Sequence, residues 1–154
     1  MKQILFFLSI SVALFLACSS SKKVKSTMVT QGIAGFVTEA TGNQMPMKGT
    51  PPAVSKGILT TVVVFEPTNL SQVTQKGTSP LYTKISTKQV ASVETDSTGA
   101  FTVDLPVGSY SVFVKRGDLF FANLFDTNNN ISLFTVEEGK LTTVKMVVND
   151  KAVY

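Results

Sequence analysis

Residues 96–114, DSTGAFTVDLPVGSYSVFV, limit the possible folds of this chain more than any other stretch. They open with Asp-x-x-Gly, the sequence of a four-residue turn in which Asp accepts backbone hydrogen bonds and Gly tolerates a positive φ. Apolar and polar side chains then alternate over residues 101–105, which is the period-two pattern of a half-buried strand. Pro106 and Gly108 reverse the chain, because Pro fixes φ and Gly permits a left-handed step. We therefore predict a second strand, residues 110–114, that returns along the same sheet.

The rest of the chain repeats this pattern of short strands and turns. Hydrophobic residues make up 44% of the 154 residues and charged residues 16%, a balance typical of one folded domain with a modest core. No segment has a convincing helical period, so the sequence predicts an all-β, antiparallel β-sandwich of about seven to eight strands. Two long connections, Glu39–Lys56 and Asn69–Tyr82, are predicted as loops that would carry recognition. The segments with strand character are residues 31–38, 58–65, 84–94, 101–105, 110–114, 119–125, 131–136 and 141–148.

The first 17 residues have the character of a targeting segment. Lys2 gives a basic start, and an apolar run of roughly 14 residues follows, which is too short to span a bilayer as a stable helix. The run ends in FLAC, which resembles the lipobox of bacterial lipoproteins around Cys18, with Phe15 where Leu is usual. An ordinary secretory signal with an incidental Cys is the alternative. We predict a signal peptide over residues 1–17, a flexible tether over 18–30 and a folded domain over 31–154.

The lipobox resemblance implies where the chain is attached. Cys18 would become the N-terminus and carry a diacylglycerol thioether and an acylated amine, and two or more acyl chains make a stable membrane anchor. Ser19 stands where lipoproteins retained in the inner membrane have Asp, and residues 19–23, SSSKK, lack the acidic residues of a surface-export signal. We therefore expect the periplasmic face of the outer membrane. Because Cys18 is the only Cys, the domain has no disulfide and must be stabilised by packing.

Three short motifs together resemble the carboxypeptidase regulatory-like domain, a transthyretin-like (prealbumin-like) β-sandwich. They are IAGFV at residues 33–37, DSTGAF at 96–101 and LPVGSY at 105–110, which match the patterns I-x-G-x-V, D-x-x-G-x-F and L-P-x-G-x-Y. The resemblance covers residues 31–115, and the whole chain is similar to small Bacteroidetes lipoproteins that carry this domain. It implies a transthyretin-like fold. It implies no particular activity, because such sandwiches serve as accessory, adhesive and binding modules.

The composition argues against catalysis and against nucleic-acid binding. The chain has no His, which removes the usual general base at neutral pH and the commonest metal ligand. Enzymes on related sandwiches, such as hydroxyisourate hydrolases and intradiol dioxygenases, depend on His, so we predict that this protein is not an enzyme. The net charge of +4 falls to about +3 without Lys2, and no dense basic patch with interleaved aromatic residues occurs. We expect no nucleic-acid partner.

A polar stretch near the C-terminus allows two interpretations. Five oxygen-bearing residues fall at places 1, 3, 5, 7 and 12 of an EF-hand-type calcium loop, and they are Asp126, Asn128, Asn130, Ser132 and Glu137. Hard oxygen ligands at alternate positions suit calcium, so this loop is a candidate calcium site. However, Ile131 stands where the sharp turn of such a loop requires Gly, and Asn and Asp are ordinary turn residues. A plain β-turn without any cofactor is the other interpretation.

Three further features have both a functional and a structural interpretation. The sequence DST at residues 96–98 resembles the O-glycosylation site of Bacteroidetes secreted proteins, with Ser97 as the acceptor, but it also forms the predicted turn. The sequence RGD at residues 116–118 is a tripeptide that integrins recognise, and it equally suits a tight hairpin turn. Residues 119–125 carry five large apolar side chains, which belong to the core or, where strand alternation exposes them, to a partner surface.

Three functional hypotheses follow. The first is a lipid-anchored, non-catalytic binding or assembly module of the cell envelope, attached through Cys18, with an unknown protein or glycan as its partner. The second is a structural or adhesive subunit that pairs an exposed edge strand with a partner, as pilus proteins do. A calcium-binding surface module is a variant of these two. The third is an enzyme, which would require a cleft with converging carboxylates of perturbed pKa.

Overall fold

The computed structural model describes residues 29–45, 48–49 and 55–153. These residues form eleven strands and one short 3-10 helix, Leu70–Gln72. No helix in this part of the chain is long and apolar enough to cross a membrane. The strands are β1 (Gly32–Asn43), β2 (Lys56–Gly57), β3 (Thr61–Phe65), β4 (Val73–Gln75), β5 (Leu81–Ile85), β6 (Gln89–Glu94), β7 (Ala100–Asp104), β8 (Gly108–Arg116), β9 (Leu119–Phe121), β10 (Leu133–Val136) and β11 (Leu141–Val153).

The strands form two sheets that pack as a sandwich, so the predicted all-β sandwich is confirmed. In the four-stranded sheet, β1 lies between β11 on one side and β7 and β2 on the other. The seven-stranded sheet has the order β4-β5-β9-β8-β3-β6, and β10 pairs with β8 beside β9. The predicted number of seven to eight strands is too low. The sequence pattern missed the two- and three-residue strands β2 and β4, and it merged β5 and β6 into one kinked segment.

The main core lies between the two sheets. It takes alternate residues from each strand, because successive side chains of a strand point to opposite faces. From the four-stranded sheet come Ile33, Val37, Phe101, Val103, Val144, Met146 and Val148, and from the seven-stranded sheet come Val62, Val64, Val112, Val114, Phe121 and Val136. All of these side chains are buried. Burial of these apolar side chains stabilises the domain, as the sequence predicted for a domain without disulfides.

A second core covers the other face of the seven-stranded sheet. Phe113 of β8 packs its ring edge-to-face against Phe65, at 5.5 Å between ring centroids, and against Tyr82, at 5.8 Å. The 3-10 helix and strands β4 and β5 supply the cover through Leu70, Val73, Tyr82 and Ile85. The prediction that Asn69–Tyr82 is a loop is therefore wrong, because the segment contains the 3-10 helix, β4 and the start of β5, while its role in recognition stays a prediction. Its apolar residues were too widely spaced to show a strand period, but they close a hydrophobic face.

The predicted hairpin of residues 101–114 is also wrong, because its two strands belong to different sheets. Strand β7 pairs with β1, whereas β8 pairs with β3, β9 and β10, so Pro106 and Val107 carry the chain across the core. The hydroxyl of Tyr110 donates a hydrogen bond to the carbonyl of Pro106 at 3.1 Å, an arrangement similar to the tyrosine corner of immunoglobulin-type sandwiches. Alternation of buried and exposed residues looks the same whether two strands pair in one sheet or pack against each other from opposite sheets, so the sequence pattern could not separate these two arrangements.

Strand β1 pairs with β11 in parallel, which departs from the predicted antiparallel arrangement. A Cβ atom at Gly35 would overlap the carbonyl oxygen of Val144, so this Gly allows the two backbones to approach. Strand β1 also continues to Asn43, and the predicted loop Glu39–Lys56 is therefore a strand over its first five residues.

The two ends of the sandwich can be distinguished by their turns. Gln31, just before β1, donates from Nε2 to the carbonyl of Leu105 and accepts at Oε1 from the N–H of Gly139, both at 3.0 Å. We call this the N-terminal end. The register of β7 against β1 places Ala100 beside Phe36, and the turn that precedes Ala100 therefore lies at the opposite end.

Candidate functional site

A groove lies at the end of the sandwich opposite the N-terminal end. It consists of three open depressions of about 490, 470 and 310 Å³, all of which Leu59 lines. The side chain of Leu59 is 72% exposed, more than any other large hydrophobic side chain in the described part of the chain. We define the groove by Glu39, Lys56, Leu59, Thr60, Glu94, Ser97, Lys115, Arg116, Asp150 and Lys151.

Hydrogen bonds to its neighbours hold Leu59 in this position. The Thr95 hydroxyl donates to the carbonyl of Ile58 at 2.7 Å and accepts from the N–H of Thr60 at 2.8 Å. The Thr60 hydroxyl in turn donates to the carbonyl of Lys115 at 2.9 Å. Leu59 itself makes no hydrogen bond to any described residue. The segment is therefore fixed on both sides of Leu59, while Leu59 itself is exposed.

Arg116, at the end of β8, connects the two sheets beside the groove. Its Nη2 donates to Glu39 Oε1 of β1 at 2.6 Å and to Asp150 Oδ1 of β11 at 3.1 Å. The three side chains, which we call the Arg116 cluster, are 12–23% exposed. Burial alone lowers the pKa of the Arg116 guanidinium, but the hydrogen bonds and charges of both carboxylates outweigh it and raise that pKa above its ordinary value.

A β-bulge lies next to the Arg116 cluster. Glu39 pairs with Val148 and Thr41 with Lys151, so one residue of β1 lies opposite two residues of β11, Asn149 and Asp150. A bulge of this kind disrupts the ladder locally and bends the strand that carries the extra residue. Asp150, which pairs with Arg116, is therefore one of the two residues of β11 in the bulge.

Three lysines line the groove in addition to Arg116. Lys56 and Lys151 are exposed, and Lys115 places its Nζ 4.2 Å from the centroid of the Phe120 ring. None of the ion pairs among the described residues involves these lysines. The two carboxylates of the first two depressions are both bound by Arg116. The groove therefore offers cationic groups around an exposed apolar side chain.

Ser97, the predicted glycosylation acceptor, lies exposed at the rim of this groove. The preceding Asp96 is held within the turn, where its Oδ1 accepts from the Thr98 hydroxyl at 2.6 Å and from the N–H of Ala100 at 3.0 Å. These bonds, the Thr98 hydroxyl first, lower the pKa of Asp96 below its ordinary value. The predicted turn is thus present, and glycosylation of Ser97 stays a prediction. Cys18, the predicted lipidation site, lies outside the described residues.

The candidate calcium loop folds as a closed turn. Asp126 Oδ1 accepts from the N–H groups of Asn128 and Asn130, and its Oδ2 accepts from Asn130 Nδ2, each at 2.8 Å. The side-chain bond from Asn130 contributes most to a lowered pKa of Asp126. Asn69 fastens the loop by donating from Nδ2 to the carbonyl of Asn128 at 2.6 Å. Both oxygens of the carboxylate thus accept hydrogen bonds from donors of its own turn.

The last candidate ligand, Glu137, lies in the next turn and pairs with Lys140 at 2.6 Å. This bond with Lys140 lowers the pKa of Glu137. Among the described residues, no group of three or more acidic or Cys side chains could hold a metal ion. Calcium binding by Asp126, Asn128, Asn130 and Glu137 stays a prediction.

The tripeptide at residues 116–118 forms the predicted hairpin turn between β8 and β9. Arg116 pairs with Leu119, and Gly117 has a φ of 60°, so Gly117 and Asp118 make a two-residue connection. The Arg116 guanidinium is bound by the carboxylates of Glu39 and Asp150, and recognition of the tripeptide by a partner stays a prediction. In the following segment, Phe121 is buried, while Leu124 and Phe125 are exposed.

Sequence analysis did not identify the groove. Glu39, Arg116 and Asp150 lie on three strands that are far apart in the sequence, and no local pattern links them. The one available signal was Leu59, an apolar residue outside the alternation of β3, whose exposure depends on the tertiary position of β3. Comparison with family models, with curated proteins and with solved structures gives no match to this chain.

Proposed function

We propose that this protein is a lipid-anchored, non-catalytic binding module of the cell envelope, and that the groove is its recognition surface. Acyl chains on Cys18 would hold it at the periplasmic face of the outer membrane. The observation that carries the proposal is the position of the groove at the end opposite Gln31. A tether that enters at the N-terminal end would leave the groove facing away from the anchoring membrane, where a protein or glycan partner could reach it.

The chemistry of the groove supports binding over catalysis. The chain has no His to act as a general base at neutral pH. The two carboxylates nearest the centre of the groove are bound by Arg116, and a carboxylate paired with a guanidinium is a poor base. The side chains that remain are ammonium groups, hydroxyls, Leu59 and, in the third depression alone, the carboxylate of Glu94, and they can attract and position a partner. Such a set matches a recognition surface.

Two measurements on the full chain in its host test this proposal. Mass spectrometry of the mature N-terminus is expected to show a chain that begins at Cys18 and carries acyl groups; an unmodified Cys18 would contradict the anchor. A photo-crosslinking residue at position 59 is expected to yield a discrete adduct. The same residue at position 84, an exposed site on β5 outside the groove, is the matched control. No adduct, or the same adduct from both positions, would contradict recognition by the groove.

A second candidate, strand pairing with a partner, is favoured by the form of β11. This strand runs for 13 residues, and among the described strands it pairs only with β1. Asn123 donates to the carbonyl of Val147 on its other side, which engages one backbone group of an edge that no described strand covers. If β11 adds a partner strand, Lys145→Pro should abolish oligomers seen by analytical ultracentrifugation. A monomeric chain, or oligomers unaffected by Lys145→Pro, would exclude this candidate.

A further inference from the structure

We propose that the groove is a docking site for an acidic peptide segment of a partner protein that contributes at least one apolar side chain. This inference rests on the proposed binding function and specifies its chemistry. It depends on three observations, which are the lysines that form no ion pair among the described residues, the exposed Leu59 whose peptide groups make no hydrogen bond to described residues, and the position of the groove at the end opposite Gln31.

The cations of the groove select an anionic partner. Lys56, Lys115 and Lys151 line the first two depressions, and none of them pairs with a carboxylate among the described residues. The contact of Lys115 with the Phe120 ring leaves its positive charge unneutralised. Glu94 lines only the third depression, which none of the three lysines lines. Carboxylates over the first two depressions would complement this arrangement of charges.

Leu59 selects a peptide over a simple anion. Its side chain projects into solvent at the centre of the groove, and its N–H and C=O make no hydrogen bond within the described part of the chain. A peptide can bury an apolar side chain against Leu59 and can pair its own backbone with these two groups. A phosphate or a sugar sulfate would engage only the lysines. The occupant that uses every feature of the groove is therefore an acidic peptide with an apolar residue among its carboxylates.

The orientation of the groove argues against a lipid head group as the anion. Gln31 and the turns that contact it lie at the other end of the sandwich, so a tether attached there leaves the groove at the end of the domain farther from its attachment point. A soluble or membrane-spanning partner protein can reach this end in every orientation of the domain, whereas the head groups of the anchoring leaflet reach it only when the flexible tether lets the domain turn over.

Fluorescence anisotropy with the full lipidated chain in a non-ionic detergent tests the inference. The probe is a fluorescein-labelled peptide, Glu-Glu-Leu-Glu-Glu, and the matched probe replaces every Glu by Gln. We expect Lys56→Gln and Lys151→Gln each to weaken binding of the acidic peptide about two- to fivefold, as exposed ion pairs do. Leu59→Ala should weaken it about tenfold because apolar contact area is lost. Lys84→Gln, an exposed lysine on β5, should leave it unchanged.

The outcomes separate this inference from the proposed function. If the Glu and Gln peptides bind equally well, or if Lys84→Gln and Lys151→Gln weaken binding equally, the inference that the partner is an acidic peptide is wrong. Neither result would change the crosslinking result at position 59, which tests the proposed function. Vesicles of phosphatidylglycerol form a third arm. If they bind in place of the peptide and lose binding in the same lysine variants, the anion is a lipid head group and the inference is wrong.

Discussion

Replacing Arg116 should destabilise the domain more than the loss of any exposed charge. Arg116 makes charge-assisted hydrogen bonds to Glu39 at 2.6 Å and to Asp150 at 3.1 Å. Each bond of this kind contributes about 1.5–3 kcal/mol when buried. Because the three side chains keep 12–23% of their exposure, solvent screening reduces each to about 1 kcal/mol. Arg116→Ala also leaves two carboxylates close together without a cation, so we expect a total loss of about 2–3 kcal/mol.

Chemical unfolding provides the measurement and the control. Urea unfolding of a chain that begins at Ser19, followed by far-UV circular dichroism, gives the free energy of unfolding without screening the ion pairs. For a domain of this size, the expected loss corresponds to a fall in Tm of roughly 8–12 °C. Lys140→Gln is the matched control, because it removes an ion pair of the same 2.6 Å length whose side chains are 64–70% exposed. We expect it to change the free energy of unfolding far less than Arg116→Ala does, because solvent screens this exposed pair.

A double-mutant cycle decides whether the Arg116 cluster acts through these contacts. Glu39→Gln and Asp150→Asn should each cost about 1 kcal/mol in the native chain and much less in an Arg116→Ala background. If Arg116→Ala and Lys140→Gln have the same effect within about 0.5 kcal/mol, the assumption that partial burial strengthens the pairs is refuted.

Three further predictions concern the fold. Gly35→Ala should lower the free energy of unfolding by about 3 kcal/mol or more, because the new Cβ would overlap the Val144 carbonyl within the β1–β11 pairing. The same unfolding assay measures this loss. A loss below about 1 kcal/mol would mean that β11 can shift without cost. Tyr110→Phe should cost about 0.5–1.5 kcal/mol through the lost hydrogen bond to Pro106, with no change in the circular dichroism spectrum. Because the pKa of Asp96 is lowered in the folded state, the carboxylate stabilises the fold above its unfolded-state pKa, and this contribution is lost as the pH falls below about 4. In a series of Tm measurements at decreasing pH, the Tm of Asp96→Asn should therefore fall less in that range than the Tm of the unchanged protein.

Local chemistry allowed the turns to be predicted from the sequence. The turn at residues 96–99 has Asp96 as its hydrogen-bond acceptor, and Gly99 has a φ of 83°. The hairpin turn at residues 116–118 is equally local, since a Gly with positive φ determines it. Such turns depend on a few consecutive residues, so their sequence is sufficient to predict them.

The pairing of strands was harder to predict, because alternation records only which side chains are buried. Strands β7 and β8 have the pattern of a hairpin, yet they face each other across the core. The parallel pairing of β1 with β11 joins Gly35 to Val144, more than one hundred positions later, and no short-range signal reports it. The second core was missed for a related reason, since Leu70 and Val73 lie in a 3-10 turn and a three-residue strand that have no clear period.

The groove was outside the reach of sequence patterns because its shape depends on the length difference between strands. Beyond Glu39, β1 pairs only with β11 among the described strands, so these two strands extend past the rest of the four-stranded sheet. Arg116 ties this extension to the seven-stranded sheet through Glu39 and Asp150. It follows that Arg116→Ala should weaken peptide binding and stability together, whereas Lys151→Gln should weaken binding alone. If Arg116→Ala lowers the stability but leaves the affinity for the acidic peptide unchanged, the cluster does not shape the groove.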